Sequence, residues 1–341
     1  MALQPHDRGE VDLSHSSAQE AQTPVRTPSS GAGDAAVLVQ GLCHRYDERL
    51  ALDHLDLDVR RGESFALLGP NGGGKTTLFR ILTTYFPVQQ GRVRVLAYDL
   101  PNDRDRLRHE IGVVFQHPSL DGKLTVEENL AYHGRLHGLD RKTIRRRSEE
   151  MLDRLGLLDR RRERVEKLSG GLARRVELAK GMLHEPKLLI LDEPSTGLDP
   201  GARRDLWVYL TYLRNEGVTL LTTTHLLDEA ERCDRVGIIH QGRLIAKGSP
   251  NELRSEIGGD VVTLRGADPA GLAAKLHREL KVDASVVNDT VRIESDSGFA
   301  LLGQIGQCAA SEIESMAVSK PTLEDVFIHR TGHRFWGEPD E

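Results

Sequence analysis

Apolar positions in this chain keep two rhythms, and the rhythm changes from segment to segment. Val37-Leu38-Val39 begins the ordered pattern; Leu55, Leu57 and Val59 then alternate, and Val93 and Val95 repeat the period of two, so each stretch predicts a strand. Phe65–Leu68, Ile111–Phe115, Lys187–Leu191 and Val218–Thr222 are instead short apolar or β-branched runs, the pattern of strands covered on both faces. Between them the period lengthens. Thr125-Val-Glu-Glu128 is a capping box that opens a helix through Leu136, and Ile144, Met151, Leu152 and Leu155 mark a second helix over about Lys142–Leu155. Ser169-Gly170-Gly171 opens a helix that runs to about Leu183, and Asp199 caps another that has Pro200 at its first position. Val236–Ile239 and Leu244–Ala246 pair as a hairpin around Gln241-Gly242. Strands alternating with helices predict an α/β core with a parallel sheet, and the helical block at about 117–168 interrupts it as an inserted subdomain.

The pattern changes again near Gly258-Gly259, which reads as a hinge. Strands are expected at Val261–Leu264, Ala284–Val287, Thr290–Ile293 and Ile313–Val318, with helices at Pro269–Leu280, Gly298–Ala310 and Thr322–Arg330. That order is βαββαβ plus a last helix, a small ferredoxin-like α+β domain over 258–331. Residues 1–35 are rich in Ser, Pro, Gln and Gly and read as a disordered tail; 332–341 read as a second tail, and 36–257 as the main domain. No internal duplication is visible.

Composition narrows the classes. At 341 residues with 38% apolar and 29% charged positions, the chain can build a large core and a smaller one. The net charge of -6 disfavours a protein devoted to gripping nucleic acid. The arginine runs Arg145–Arg147 and Arg160–Arg164 read as solvated helix faces. Cys43, Cys233 and Cys308 are scattered and lack metal spacing, which suits a reducing cytosol. No apolar run approaches the roughly 20 residues of a membrane helix, so a membrane process would need its span from another chain. His133 and His137 stand at i, i+4, a metal-ligand spacing; no third ligand suggests itself, and with Gly134 and Gly138 alongside, the pair reads as a solvated face.

The stretch Glu63–Leu82, ESFALLGPNGGGKTTLFRIL, carries the candidate chemistry. An apolar run ends at Gly69, a loop rich in glycine follows, and Lys75, Thr76 and Thr77 open a helix. This is G-x-x-x-x-G-K-[ST] in a strand–loop–helix setting. Gly72, Gly73 and Gly74 let successive N–H groups face one point, and the helix adds its positive end: a nest for a triphosphate. Lys75 is placed to reach the β- and γ-phosphates and Thr76 to ligate Mg2+. Downstream, Leu188-Leu-Ile-Leu-Asp192-Glu193 delivers two carboxylates to a strand's C-terminal edge. Asp192 is assigned to Mg2+ and Glu193 to the water that attacks the γ-phosphate. Strand alternation points the two to opposite faces, so they need not share a role.

Five further segments, in this order, resemble the ATP-binding cassette family, the nucleotide-binding subunits of ABC transporters, over about Val37–Pro250. Tyr46 sits where the family's aromatic stacks on adenine; Gln116 follows its strand like the Q-loop glutamine; Leu168-Ser-Gly-Gly-Leu172 resembles the signature motif; Ser195-Thr-Gly-Leu-Asp199 matches the D-loop; His225, after Thr222-Thr-Thr224, matches the switch histidine. The resemblance implies an α/β P-loop NTPase core with a mainly parallel sheet, an antiparallel β subdomain and a helical insert. It implies ATP and Mg2+ as cofactors. Nucleotide contacts are expected from Tyr46, Gly69, Pro70, Asn71, Gly72, Gly73, Gly74, Lys75, Thr76, Thr77, Gln116, Ser169, Gly170, Gly171 and Asp199, metal contacts from Thr76, Gln116 and Asp192, and catalytic roles from Lys75, Glu193 and His225. Ser169 and its glycines would face a nucleotide held by a second subunit, two chains closing head to tail in a two-fold arrangement.

Two residues depart from the family pattern. Leu172 stands where many members have Gln, and Gly73 where Ala or Ser is common, which should loosen the loop slightly. Gln116-His-Pro-Ser-Leu-Asp121 through Leu124–Leu130, and Pro321-Thr-Leu-Glu-Asp-Val-Phe327, look like the type-2 exporter branch, which includes daunorubicin-resistance-like ATPases. That implies an ATPase on the inner face of the cell membrane, driving a separate permease that exports a drug, antibiotic, lipid or polysaccharide. The alternative is a soluble cassette acting on ribosomes or nucleic acid, but such proteins typically carry two cassettes or long coiled-coil inserts.

Overall fold

The structure is a computed structural model and describes residues 35–333 and residue 335. The sequence-based tails therefore lie largely outside the described residues. Ala35 opens the first strand, and Phe335 is buried.

In chain order the main body comprises β1 (Ala35–Tyr46), β2 (Arg49–Arg60), β3 (Ser64–Leu68), α1 (Lys75–Leu82), β4 (Gln90–Val95), β5 (Tyr98–Leu100), α2 (Arg104–Arg108), β6 (Ile111–Val114), α3 (Val126–Leu136), α4 (Arg141–Arg154), α5 (Gly170–Met182), β7 (Leu188–Asp192), α6 (Pro200–Asn215), β8 (Thr219–Thr224), α7 (Leu227–Ala230), β9 (Arg235–His240), β10 (Arg243–Gly248) and α8 (Pro250–Ser255). The C-terminal part adds β11 (Asp260–Arg265), α9 (Pro269–Leu280), β12 (Ala284–Val287), β13 (Thr290–Ser295), α10 (Gly298–Ala309), β14 (Ser315–Ser319) and α11 (Leu323–Thr331).

The central sheet runs β10-β9-β3-β8-β7-β6, parallel except for β10 at its edge. Period-two alternation within these buried strands divides the core in two. Ala66, Leu68, Leu189 and Leu191 join one apolar cluster with residues of α3, α4, α5 and α6. Phe65, Leu67, Leu188 and Ile190 join the other, with α1 and the antiparallel sheet β2-β1-β4-β5. Strand order places Leu68, Asp192 and Thr224 at neighbouring C-terminal ends, since Leu68 pairs with Thr224 and Asp192 with Thr223. In open α/β sheets that edge is where ligands bind.

Local chemistry explains the connections. Gln241 and Gly242 both have positive φ, +47° and +78°, as a two-residue type I′ hairpin between β9 and β10 requires. The Thr125–Glu128 box caps α3 reciprocally. The helical insert is closed on itself by backbone bonds Val126 N to Glu163 O (3.1 Å) and Val165 N to Leu124 O (3.1 Å). Much of the charge in the arginine runs pairs locally: Arg145 with Glu149, Arg146 with Glu150, Arg160 with Glu163 and Arg161 with Glu127.

The C-terminal sheet is wholly antiparallel with order β12-β13-β11-β14, the split βαββαβ arrangement. Val262, Leu264, Val291 and Ile293 form its core with α9 and α10. Two features differ from the sequence reading. Gly258-Gly259 is no open hinge: a Cβ on Gly259 would lie 2.1 Å from the Ser295 carbonyl oxygen, so the turn is wedged against the end of β13. And α11 contributes Leu323, Val326 and Phe327 to the core of the central sheet, where the Phe327 ring meets the edges of His240 (5.3 Å) and Phe335 (5.0 Å).

Candidate functional site

The loop after β3 is shaped by close approaches. A Cβ at Gly69 would sit 2.4 Å from Ile239 O, and at Gly74 2.8 Å from Ala51 O; Gly74 also has φ +107° as it starts α1. Both positions therefore exclude a side chain. Gly73, expected to loosen the loop, is tied at both ends: its N–H donates to Pro70 O (3.2 Å) and its carbonyl accepts from Gly242 N (3.0 Å). The hairpin β9–β10 thus supports the loop directly.

Lys75 is 4% exposed, and its ammonium donates to Gly69 O (2.8 Å) and Pro70 O (3.0 Å) while lying 3.5 Å from Glu193 Oε1. Burial lowers its pKa, against the opposing pull of the Glu193 charge. Asp192, at the end of β7, accepts a hydrogen bond from the Thr223 hydroxyl. Its burial raises its pKa; the Thr223 hydrogen bond opposes this and the Glu193 charge adds to it.

Glu193 leaves the strand. Its φ is +44°, held by its N–H donating to Thr223 O and Oγ1, each at 3.1 Å. The alternation expected of consecutive strand residues stops there, and the Glu193 carboxylate turns toward Lys75. Its Oε2 accepts from Gln116 Nε2 (3.1 Å) and Thr196 Oγ1 (3.3 Å) and lies 3.1 Å from His225 Nδ1. The carboxylate is the hub on which four segments meet.

The surrounding cleft has a volume of about 630 Å³, and Tyr46, Asn71, Gly72, Gly74, Lys75, Thr76, Thr77, Gln116, Glu193 and His225 line it together. Tyr46 is partly exposed, with its hydroxyl 3.3 Å from Thr77 Oγ1 and its ring packed edge-on against His44 and Phe86. The sequence reading missed Arg49, Ala51 and Thr196, which also line it. Ser169, Gly170, Gly171 and Asp199 do not, nor do Gly69, Pro70, Gly73 and Asp192. Ser169 and Gly170 are exposed at the start of α5, and Asp199 is exposed while capping α6 through Gly201 N (2.9 Å) and Ala202 N (3.0 Å). Leu172 packs on the apolar core.

Further polar residues behind the cleft also went unread. Arg174, buried in α5, donates to Phe115 O (2.6 Å) and Gln116 O (2.8 Å). One turn on, Glu177 accepts from Ser119 N (2.8 Å), and Lys180 bonds Glu177 (3.1 Å) and Ser119 O (3.1 Å). Together α5 grips the Gln116 segment. Glu229, also buried, accepts from the Ser195 hydroxyl and from Thr224 Oγ1 (2.7 Å), joining the segments before Asp199 and His225. The available signal was charge at i, i+3 spacing on an otherwise apolar helix face. His133 and His137 are not a solvated face either: they are half-buried, and His184 supplies the third imidazole.

Residues 52–196 match the family described as ABC transporter, and residues 248–331 match "ATP-binding protein DrrA1-3-like, C-terminal domain". A daunorubicin resistance ATP-binding protein, DrrA3 of Streptomyces coeruleorubidus, is 41% identical over 308 residues, 88% of this chain and 96% of the relative. Nod factor export ATP-binding protein I of Ralstonia nicotianae is 43% identical over 312 residues, 89% and 97% of the two chains. Among solved structures, cbiO1 from Clostridium perfringens, part of the ABC transporter complex cbiONQ, superposes with a TM-score of 0.61 at 30% identity, covering 73% of this chain and 96% of that one.

Proposed function

The chain belongs to the ATP-binding subunits of ABC transporters, and we propose that it cleaves ATP at the Lys75–Glu193 cleft to drive a separate export permease. The observation that carries this reading is the convergence of Lys75, Gln116, Thr196 and His225 on the Glu193 carboxylate beside the phosphate loop. On nucleotide entry, Lys75, Gln116 and His225 hand these contacts to phosphate oxygens. That frees Glu193 to take a proton from the attacking water as the bond between the γ-phosphorus and its bridging oxygen breaks and ADP leaves. His225 stabilises charge on the γ-phosphate in the transition state. Gly69–Gly74 and the α1 terminus cradle the phosphates, and Tyr46 stacks on the base.

The donor set suits Mg2+: the Thr76 hydroxyl, the Asp192 carboxylate and the Gln116 amide oxygen, left over while its Nε2 bonds Glu193, are hard oxygen ligands. When bound at these oxygens, Mg2+ would offset the negative charge of the phosphates.

Ser169, Gly170, Gly171 and Asp199 act on the nucleotide of a second copy, which accounts for their place outside this cleft. No helix among the described residues is long and apolar enough to cross a membrane; the likeness to ATP-binding subunits of exporters supports a permease that holds the protein at the membrane's inner face. Relatives named for daunorubicin resistance and for Nod factor export support the reading of the cargo as a drug, antibiotic, lipid or polysaccharide. Ribosome or nucleic-acid action has no support from the net charge of -6.

Glu193→Gln tests the core of this reading. Turnover, measured as phosphate release, should fall by about 10² or more, as loss of a general base does, with ATP binding retained and a dimer favoured in gel filtration. Equal hydrolysis by variant and wild type would remove Glu193 from the role.

A further inference from the structure

Away from the cleft, at the joint between the helical insert and the central sheet, three imidazoles gather. His133 stands in the last turn of α3, His137 caps its C-terminus one turn on, and His184 follows the end of α5. One ring nitrogen from each lies within 4.8 Å of the other two. The rings of His137 and His184 are 3.9 Å apart and nearly parallel at 14°, and those of His133 and His137 are 4.5 Å apart. Helical repeat alone aligns the first two; the third comes from 47 positions along the chain and completes a set the sequence spacing left at two.

His133 Nε2, His137 Nδ1 and His184 Nδ1 are buried without a hydrogen-bond partner, and buried polar atoms are ordinarily paired. His184 is also oriented from behind: its Nε2 donates to the Ile111 carbonyl at 2.9 Å, which fixes the tautomer and leaves the Nδ1 lone pair free. An imidazole that gives one N–H to a backbone carbonyl and turns the other nitrogen inward is the outer-shell arrangement of metal-binding histidines. Burial holds the rings in the neutral form that binds metal, lowering His133 to about 3 and His184 to about 4, with smaller pushes from neighbouring imidazoles and cations. The nearby cations are paired, Lys180 with Glu177 (3.1 Å) and Arg147 with Glu185 (2.5 Å), which offsets part of their repulsion of a divalent ion.

We propose that His133, His137 and His184 form a binding site for a divalent first-row transition metal, with Zn2+ as the ion whose chemistry fits best. Three neutral imidazoles with a fourth position open to water satisfy zinc's four-coordinate preference. Zinc–nitrogen bonds of about 2.0–2.1 Å set tetrahedral ligand atoms roughly 3.4 Å apart, so the present spread closes by ring rotation about the soft Cβ–Cγ bonds, which also unstacks His137 from His184. Alternatively the fourth ligand is His109, whose exposed ring lies 5.7 Å from that of His137. The bound ion would staple α3 to the segment joining α5 and β7, and through Ile111 to the start of β6. It would thus fix the insert relative to the strand that carries Asp192.

Zinc binding by the full-length, chelator-stripped chain, titrated without nucleotide against a coloured competing chelator, tests this. One Zn2+ per chain is expected. His137→Ala and His184→Ala should each weaken binding by about 100-fold or more, beyond what loss of a mere outer-shell partner costs. His54→Ala, in the separate Cys43, Asp53 and His54 grouping, should change nothing. Co2+ should give the intense visible bands of a four-coordinate nitrogen site in the wild type and not in His137→Ala, and Zn2+ should raise the wild-type melting temperature but not that variant's. His137→Ala decides the matter if His184→Ala fails to fold. Absence of stoichiometric binding, or equal affinity in wild type and His137→Ala, would overturn the site.

Discussion

Asp192 occupies a place that works against its own charge. Burial raises its pKa, and Glu193 is adjacent, while the Thr223 hydroxyl opposes the shift. A carboxyl whose folded pKa is raised binds protons more readily folded than unfolded, so its contribution to stability is largest below the unfolded value and is lost as pH rises through the folded one. At neutral pH the nucleotide-free protein therefore carries a cost that a neutral isostere lacks. Asp192→Asn, which keeps an acceptor for Thr223, should raise nucleotide-free stability by roughly 1 kcal/mol while abolishing turnover. In denaturant titrations that advantage should shrink as pH falls through the raised pKa toward the ordinary carboxylate range; an advantage independent of pH would assign it to packing instead. Sequence made Asp192 and Glu193 legible because they close a buried strand at the sheet's C-terminal edge, whereas Gln116 and His225 were legible only through the family resemblance of their segments, a lone polar residue after a strand carrying little signal. Sequence could not reveal what Arg174 and Glu229 hold, since Gln116 and Ser195 lie 58 and 34 positions away and meet them only through the fold.

At the scale of elements, α5 does several jobs along one axis. Its exposed N-terminus carries Ser169, its buried face carries Arg174, Glu177 and Lys180 against residues 115–119, and His184 lies just beyond its end. These bonds tie the Gln116 segment to α5. Arg174→Ala would strip the donor from two carbonyls at once, a destabilisation of roughly 2 kcal/mol in denaturant titration, and should slow ATP cleavage by letting Gln116 drift from Glu193. Arg174→Lys should restore only part, because an ammonium lacks the planar fork that spans two oxygens. Unchanged midpoints and rates in Arg174→Ala would show that the grip is incidental. Long periodic elements such as α3 and α9 were readable from their caps and apolar spacing. The short β5, α2, α7 and α8 were not, having too few residues to set up a period, although Ser249-Pro250 and Glu252 did spell a capping box for α8. The apolar pattern places the last strand at Ile313–Val318, but it forms at Ser315–Ser319; exposed over most of its length at the sheet edge, it offers no buried face to fix its register.

The whole molecule holds the phosphate loop and the Ser169 helix end on surfaces that do not meet within one chain, since Ser169 is exposed and absent from the cleft. If two copies close head to tail, each site combines the loop of one chain with the Ser169 end of the other. Two different lesions then have a distinctive outcome. Ser169→Arg should leave ATP binding by the loop intact but block the partner's site, and Lys75→Ala should disable its own loop while leaving its Ser169 end sound. Each homodimer should be nearly inactive. Mixed in equal amounts and allowed to exchange, half of the dimers become hybrids, each with one wholly intact site and one doubly damaged one. If sites act independently, activity recovers to roughly a quarter of the wild-type rate. A site built entirely from one chain predicts no recovery at any mixing ratio, because neither variant then contains a complete set. Phosphate release measured across mixing ratios separates the two arrangements: the curve should peak at equal proportions and fall to the baseline at both ends.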